Sequence, residues 1–313
     1  MFEVDQDFGD IQTLELKGKE PNTHILKSSS IHDDRAMNEH TIQPNFTRVP
    51  NEIDESRDAL PSTKLKESQL QHLTESQRDE LKKLLDDFPQ CFSDKPGFCP
   101  YIEHTINVSP NFVPKRLKEY RIPEILKPEI QRQIDELLKN GFIRHSTSSM
   151  ASPLVPVLKG PSGQGGVRLA IDFRYVNSFC QGDAIVLPHL SDAIQRVGAS
   201  HYVTLADARS GYWQLSVRES DRWLTAFIFQ GSLFEWCRTP FGLKTAGNTF
   251  CRCVELILQP IRDFSFAFVD DMTIGSENWF THLVHLRLFL TELQKNGLTL
   301  SIEKCKFAHR ENC

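Results

Sequence analysis

The sequence predicts an α+β fold. Two observations carry that expectation: stretches with helical apolar spacing alternate with short apolar runs cut by turn residues, and no strict strand–helix–strand repeat appears that would build a doubly wound sheet. A third sets the scale, since 313 residues with 39% apolar content suffice for a sizeable core plus attached material.

Taken in order, residues 1–70 mix Ser, Pro, Asn, Asp and Glu with isolated apolar residues, so they read as an irregular, flexible extension. Residues 71–100 read as a helical linker region. There Thr74 and Gln77 make a capping-box start, Leu81, Leu84, Leu85 and Phe88 form one face, and Pro89 stops the helix. Pro128 suits a first helical turn, Ile130, Ile134, Leu137 and Leu138 share a stripe, and Asn140-Gly141 ends it. Leu154–Leu158 and Val167–Phe173 read as strands joined by the Gly-rich turn Gly160–Gly166, and Leu190–Val197 as a short helix. His201–Ala206, Trp213–Val217, Trp223–Phe229 and Leu233–Cys237 are strand-like. Ala246–Leu258 has helical spacing, Phe264–Val269 and Met272–Ile274 are the arms of a hairpin, and Leu283–Leu293 is an amphipathic helix closed by Asn296-Gly297.

The net charge of −5 argues against a uniformly basic nucleic-acid binder, but residues 1–100 hold 12 basic and 20 acidic side chains, and residues 101–313 hold 24 and 21. The acidity therefore belongs to the front, and a local basic track remains open to the rest of the chain. No apolar run approaches the ~18 residues of a bilayer span, and Met1–Phe8 is acidic rather than signal-like, so the expectation is a soluble, non-secreted protein. None of the eight cysteines falls in a C-x₂-C metal spacing, which leaves reduced thiols as the expectation.

Phe266-Ala267-Phe268-Val269-Asp270-Asp271-Met272-Thr273-Ile274 is the most informative element. It sets two adjacent carboxylates at the apex of an apolar hairpin, where partial burial of unpaired charge is costly. Asp-Asp by itself is ordinary turn chemistry. Asp207 changes the reading, because it also ends an apolar strand, and three carboxylates on neighbouring strand ends can hold two Mg²⁺ ions about 3.5–4 Å apart.

An ordered set of motifs then resembles the reverse transcriptase of gypsy-type long-terminal-repeat retrotransposon Pol polyproteins. The matches run through Ile134-Asp135-Glu136-Leu137-Leu138, Gly141-Phe142-Ile143-Arg144, Ala151-Ser152-Pro153, Arg168 to Asn177, Leu187-Pro188, Asp207-Ala208-Arg209-Ser210-Gly211-Tyr212-Trp213-Gln214, Pro240-Phe241-Gly242-Leu243, Phe268-Val269-Asp270-Asp271, and Asn296-Gly297-Leu298 to Lys304-Cys305-Lys306-Phe307. The resemblance implies a right-hand polymerase fold over residues 101–313, with fingers, a palm built on an antiparallel sheet and packed helices, and the thumb largely absent. It also implies a fragment of a longer Pol reading frame that would continue into primer grip, thumb and ribonuclease H.

For the site, the resemblance makes Asp207, Asp270 and Asp271 the catalytic, metal-binding aspartates, with two Mg²⁺ ions and Mn²⁺ as a substitute. Tyr212 would exclude a 2′-hydroxyl under the incoming sugar, and Phe268 would support the primer end. Arg168 would clamp the deoxynucleoside triphosphate, with Lys159 as a second phosphate ligand and Phe241 against the nucleotide pocket. Asp172 and Arg174 read as supports of the fold. The implied partners are an RNA or DNA template with its primer, deoxynucleoside triphosphates and the remainder of the polyprotein, without a membrane. The implied location is the cytoplasm, in virus-like particles, with access to the nucleus. The sequence departs from the family where Phe268 replaces the commoner Tyr, Gly247 a helix-starting Pro, and Ala206 and Ala208 leucines. These departures keep a second hypothesis in view: a catalytically decayed or domesticated remnant that acts as a binding module. A third, an unrelated metal-dependent phosphotransferase, would make the ordered matches an accident.

Overall fold

Thr74 and Gln77 start the first long helix as their spacing predicts: the backbone N of Gln77 donates to Thr74 Oγ1, and the backbone N of Thr74 donates to Gln77 Oε1. The computed structural model describes residues 59–159, 165–182, 200–268 and 271–309, all within one compact unit, Glu55–Cys313. The expected turn Gly160–Gly166 lies mostly outside these residues, and the expected helix Leu190–Val197 lies wholly outside them.

The helices are α1 (Pro61–Lys64), α2 (Glu75–Asp86), α3 (Lys127–Lys139), α4 (Arg174–Phe179), α5 (Ala246–Leu258) and α6 (Trp279–Lys295). Pro128 stands in the first turn of α3, whose Ile130, Ile134 and Leu137 are buried, and Gly141 ends it at φ +68°. Three sheets accompany them among the described residues. In the first, β11 (Lys306–His309), β5 (Tyr202–Asp207), β10 (Asp271–Ser276) and β9 (Ser265–Phe268) lie side by side, all antiparallel. The second has the order β2 (Ile143–His145), β8 (Ser232–Trp236), β7 (Phe227–Phe229), β3 (Ser152–Leu158), β4 (Val167–Ile171), with only β3 and β7 parallel. The third is a parallel pair, β1 (Cys99–His104) with β6 (Leu215–Val217).

Each larger sheet has its own core. Leu81, Leu85, Phe92, Phe250, Met272, Ile274, Phe289 and Phe307 fill one; Ile130, Ile134, Phe173, Val176, Phe227 and Trp236 belong to the other. Tyr212 packs against both, so the segment that carries it sits at the junction of the two cores.

Several elements differ from their sequence reading. Only Leu215–Val217 of Trp213–Val217 is a strand, because Gly211–Gln214 forms a 3₁₀ turn. Likewise Glu219–Thr225 is a 3₁₀ helix, and only Phe227–Phe229 remains extended. Arg222 Nε donates to Val217 O, and Thr225 Oγ1 donates to Arg222 O while accepting from Trp236 N, which closes the turn onto β8. Helix α6 begins four residues before Leu283, because Asn278 caps it by accepting from Thr281 N, and Trp279 Nε1 donates to Glu80. The stretch 59–70 is packed rather than irregular: Leu70 is buried, and Gln69 Nε2 donates to Ile302 O and Cys305 O, more than 200 residues along the chain. Among the described residues the cysteines are free thiols, and no helix is long and apolar enough to cross a membrane.

Candidate functional site

Strand β5 alternates inward and outward residues and ends in half-buried Asp207. Its antiparallel neighbour β10 begins at exposed Asp271, and the register pairs Asp271 directly with Asp207. Side chains opposed in this way stand about 4.5–5.5 Å apart at Cβ, and like charges there repel. Lys304 supplies a counter-charge, its Nζ 3.2 Å from Asp207 Oδ1. Phe268 is the last residue of β9 and pairs with Asp271 across the hairpin; Val269 and Asp270 lie outside the described residues. Among the described residues, no group of three or more carboxylate, imidazole or thiol side chains converges.

The loop after Asp207 is held from both sides. Ser210 is left-handed at φ 47°, and a Cβ on Gly211 would fall 2.7 Å from the Phe250 ring, so only glycine fits there without movement. Fully buried Gln214 does most of the tethering. Its Nε2 donates to Arg209 O and Thr299 O, both at 2.9 Å, and its Oε1 accepts from Thr299 N at 2.8 Å. Arg209 N donates to Thr299 O and Ser301 N to Asp207 O, so the 207–214 segment is bound to the 299–301 segment.

A cleft of about 760 Å³ opens in front of this loop, and Asp207, Tyr212, Phe241, Arg168, Lys159 and Lys304 are among the residues that line it. Tyr212 lies between Phe241, at 5.2 Å between ring centroids, and Phe250, at 5.8 Å. The Arg168 guanidinium, on β4, stands 5.0 Å over the Phe241 ring. It makes no ion pair among the described residues, unlike Arg132 with Glu129 and Glu136, or Arg209 with Glu303. Lys159 closes the end of the β3–β4 hairpin through its backbone and is exposed.

Asn177 fixes the Phe241 segment to α4. Its Nδ2 donates to Gly242 O and its Oδ1 accepts from Lys244 N, both at 2.8 Å. Asp172 and Arg174 form the supporting pair the sequence suggests: Arg174, with Tyr120, holds the Asp172 carboxyl well below the usual carboxylate range. The cleft thus gathers Arg168, Lys159, Tyr212, Phe241 and Asp207, and the strand register brings Asp271 beside Asp207. Sequence reasoning assigned no role to Gln214, Asn177 or Lys304. A polar residue taken by itself gives no signal of partners 65 to 97 residues away.

The two sheets, the hairpin with its paired strand ends and the cleft between the cores define a right-hand polymerase fold. A foamy viral protease–reverse transcriptase solved in complex with double-stranded DNA superposes with a TM-score of 0.68 at 26% identity, over 77% of this chain and 42% of that one. Residues 157–313 match the family described as reverse transcriptase (RNA-dependent DNA polymerase), and the chain belongs to that family. Among its relatives, the retrovirus-related Pol polyprotein from transposon 297 of Drosophila melanogaster is 31% identical over 271 residues, 84% of this chain and 26% of that protein. The Pro-Pol polyprotein of simian foamy virus type 1 is 30% identical over 242 residues, 76% of this chain and 21% of its own length. The chain therefore spans about a quarter of the length of these relatives.

Proposed function

We propose that the cleft is the site of templated DNA synthesis in a Pol polyprotein of the gypsy type, where a primer 3′-hydroxyl attacks a deoxynucleoside triphosphate paired to an RNA or DNA template. The observation that carries this reading is the register of β5 and β10, which opposes two like charges, Asp207 and Asp271, beside a cleft walled by Arg168, Phe241 and Tyr212. The ordered motifs from Ile134 to Phe307 support the gypsy-type assignment.

The donor set suits a hard divalent cation. Both groups are carboxylates, they are adjacent across the strands, and the counter-charge on Asp207 comes from a side chain that is 61% exposed and free to swing away. Asp207 and Asp271, with Asp270 as the third member, would hold Mg²⁺, or Mn²⁺ in its place. Bound there, two such ions would lower the pKa of the attacking hydroxyl and neutralise charge on the phosphates.

The other roles belong to this chain's own side chains. Arg168 presents a planar fork of donors to phosphate oxygens, oriented by the Phe241 ring beneath it. Lys159 adds a mobile positive charge at the rim. Tyr212, braced by Phe241 and Phe250, gives a rigid ring where a ribose 2′-hydroxyl would clash. Lys304 balances the Asp207 charge while the cation is absent, and Phe268 supports the primer end. Primer and template would lie along the remainder of the polyprotein as well as this cleft, in cytoplasmic virus-like particles with later access to the nucleus.

Binding tests the reading. Titrating the chain with Mn²⁺ and dTTP, followed by water-proton relaxation, should give a ternary complex that D207N abolishes and R168A weakens about tenfold, the loss of roughly one charged hydrogen bond. Equal binding by wild type and D207N would remove the cleft from the reaction. A folded chain that binds neither would favour the decayed, binding-module reading.

A further inference from the structure

Cys99 begins β1 and Cys253 lies in the second half of α5, 154 residues further on, yet their sulfurs are 3.3 Å apart. Both side chains are buried, at 0% and 1% exposure. Either cysteine alone would be a small apolar core residue. Together they form an S–H···S contact whose atoms need to close only by roughly 1.3 Å to reach the ~2.0 Å of a disulfide. The two elements already grip one another through His104 Nδ1 and Thr249 Oγ1, 2.8 Å apart, so the sulfurs meet inside an established packing contact.

The pair is chemically asymmetric. The hydrogen bond with Cys253 is the largest influence on Cys99 and, helped by backbone bonds at Tyr101 and Ile102 against the opposing effect of burial, it holds the Cys99 thiol below its ordinary value. The same bond, with burial, pushes Cys253 far up. Cys91 and Cys305, buried with no thiol partner among the described residues, are pushed up to about 12 by burial. The pair therefore differs from those isolated core cysteines in holding a second thiol within reach, with Cys99 the more acidic of the two.

We propose that Cys99 and Cys253 are a dithiol oxidation site, which a hydroperoxide converts to a disulfide tying β1 to α5. In the first step Cys99 Sγ attacks one peroxide oxygen. The S–O bond forms, the O–O bond breaks, and the leaving hydroxide takes up a proton to become water. In the second step Cys253 Sγ attacks the resulting sulfenic sulfur. The S–S bond forms, the S–O bond breaks, and the departing hydroxide leaves as water with the Cys253 proton. The two thiols give up two electrons, and hydrogen peroxide is reduced to two waters. Burial restricts entry to small oxidants and to moments of local opening, after which the second thiol is already in place.

The bond would brace the floor of the cleft. Phe250, one turn before Cys253 on α5, meets the Tyr212 ring edge-on, and a Cβ on Gly247 of the same helix would lie 3.2 Å from the Tyr212 hydroxyl. Fixing α5 to β1 therefore restrains the shelf on which Tyr212 rests. This chemistry stands whether or not the cleft polymerises DNA.

Hydrogen peroxide added to the folded 313-residue chain, followed by alkylation, proteolysis and mass spectrometry, tests it. The expected product is a Cys99–Cys253 linked peptide as the main disulfide, with loss of two of the eight thiols and their recovery on treatment with dithiothreitol. In C253S, Cys99 should accumulate as a sulfenic acid trapped by dimedone, an adduct that wild type lacks because its partner resolves it. Oxidation that starts at other cysteines, or thiol loss without the linked peptide, would overturn the proposal. So would a folded C253S with no adduct at Cys99. If C253S does not fold, the linked peptide in wild type and its absence in C99S decide the matter.

Discussion

Replacing Gln214 with methionine removes the amide that ties the Asp207 loop to the 299–301 segment while nearly preserving its volume. Three hydrogen bonds are lost, at 2.9, 2.9 and 2.8 Å. Thr299 O keeps its bond from Arg209 N, so the groups that lose this partner are Thr299 N–H and Arg209 O. A buried polar group without a partner costs about 1–3 kcal/mol, so the variant should be destabilised by about 3 kcal/mol. With a urea m-value of about 2 kcal/mol per molar, the unfolding midpoint followed by tryptophan fluorescence should fall by about 1.5 M. Gln214→Glu should cost at least as much at neutral pH, because it turns carboxylate oxygens toward two carbonyls, and the excess should shrink on acidification. A loss below about 1 kcal/mol for Gln214→Met would refute the reasoning, since such a value is that of a hydrogen bond readily replaced by water.

Three further outcomes follow from neighbouring geometry. Tyr212→Ala should raise incorporation of ribonucleotides relative to deoxynucleotides in a polymerising form of the protein, whereas unchanged selectivity would reject the ring as the barrier. Gly211→Ala should destabilise by about 1–3 kcal/mol through overpacking against Phe250, measured by thermal unfolding, with a neutral effect counting against the close approach. Burial, with the charge of nearby His285, brings His282 down to about 4 from an ordinary value of 6.5. The unfolded chain therefore takes up this proton first as pH falls. The contribution of His282 is complete above pH 6.5 and should drain away by about 3 kcal/mol as pH drops through 4; H282Q should flatten that part of the pH–stability curve.

The helical pieces were legible because one face of a helix repeats within a few residues: Ala246–Leu258 has the bounds its spacing predicts, and the Thr74 cap is local. Trp223–Phe229 was not, since Trp-Leu-Thr-Ala-Phe-Ile-Phe has strand composition and only Arg222 and Thr225, bonded to Val217 and β8, wind its first half into a 3₁₀ turn. At the site, strand ends were readable. Asp207 and Asp271 each terminate an apolar run, and the register sets them opposite one another. The supports were not readable, because Gln214, Asn177 and Lys304 meet their partners across the fold. Hydrogen bonds of that range leave no periodic trace in a sequence.

Primer extension tests the central claim most directly. A DNA primer on homopolymer RNA, with Mg²⁺ and then Mn²⁺, would be offered to this chain, to the longest reading frame that contains it and to D207N in both. The account predicts incorporation of the deoxynucleotide complementary to the template by the longer form, little or none by the 313-residue chain, and abolition in D207N. Template-directed incorporation by D207N at the wild-type rate, or a folded longer form that extends no primer with either metal, would contradict it.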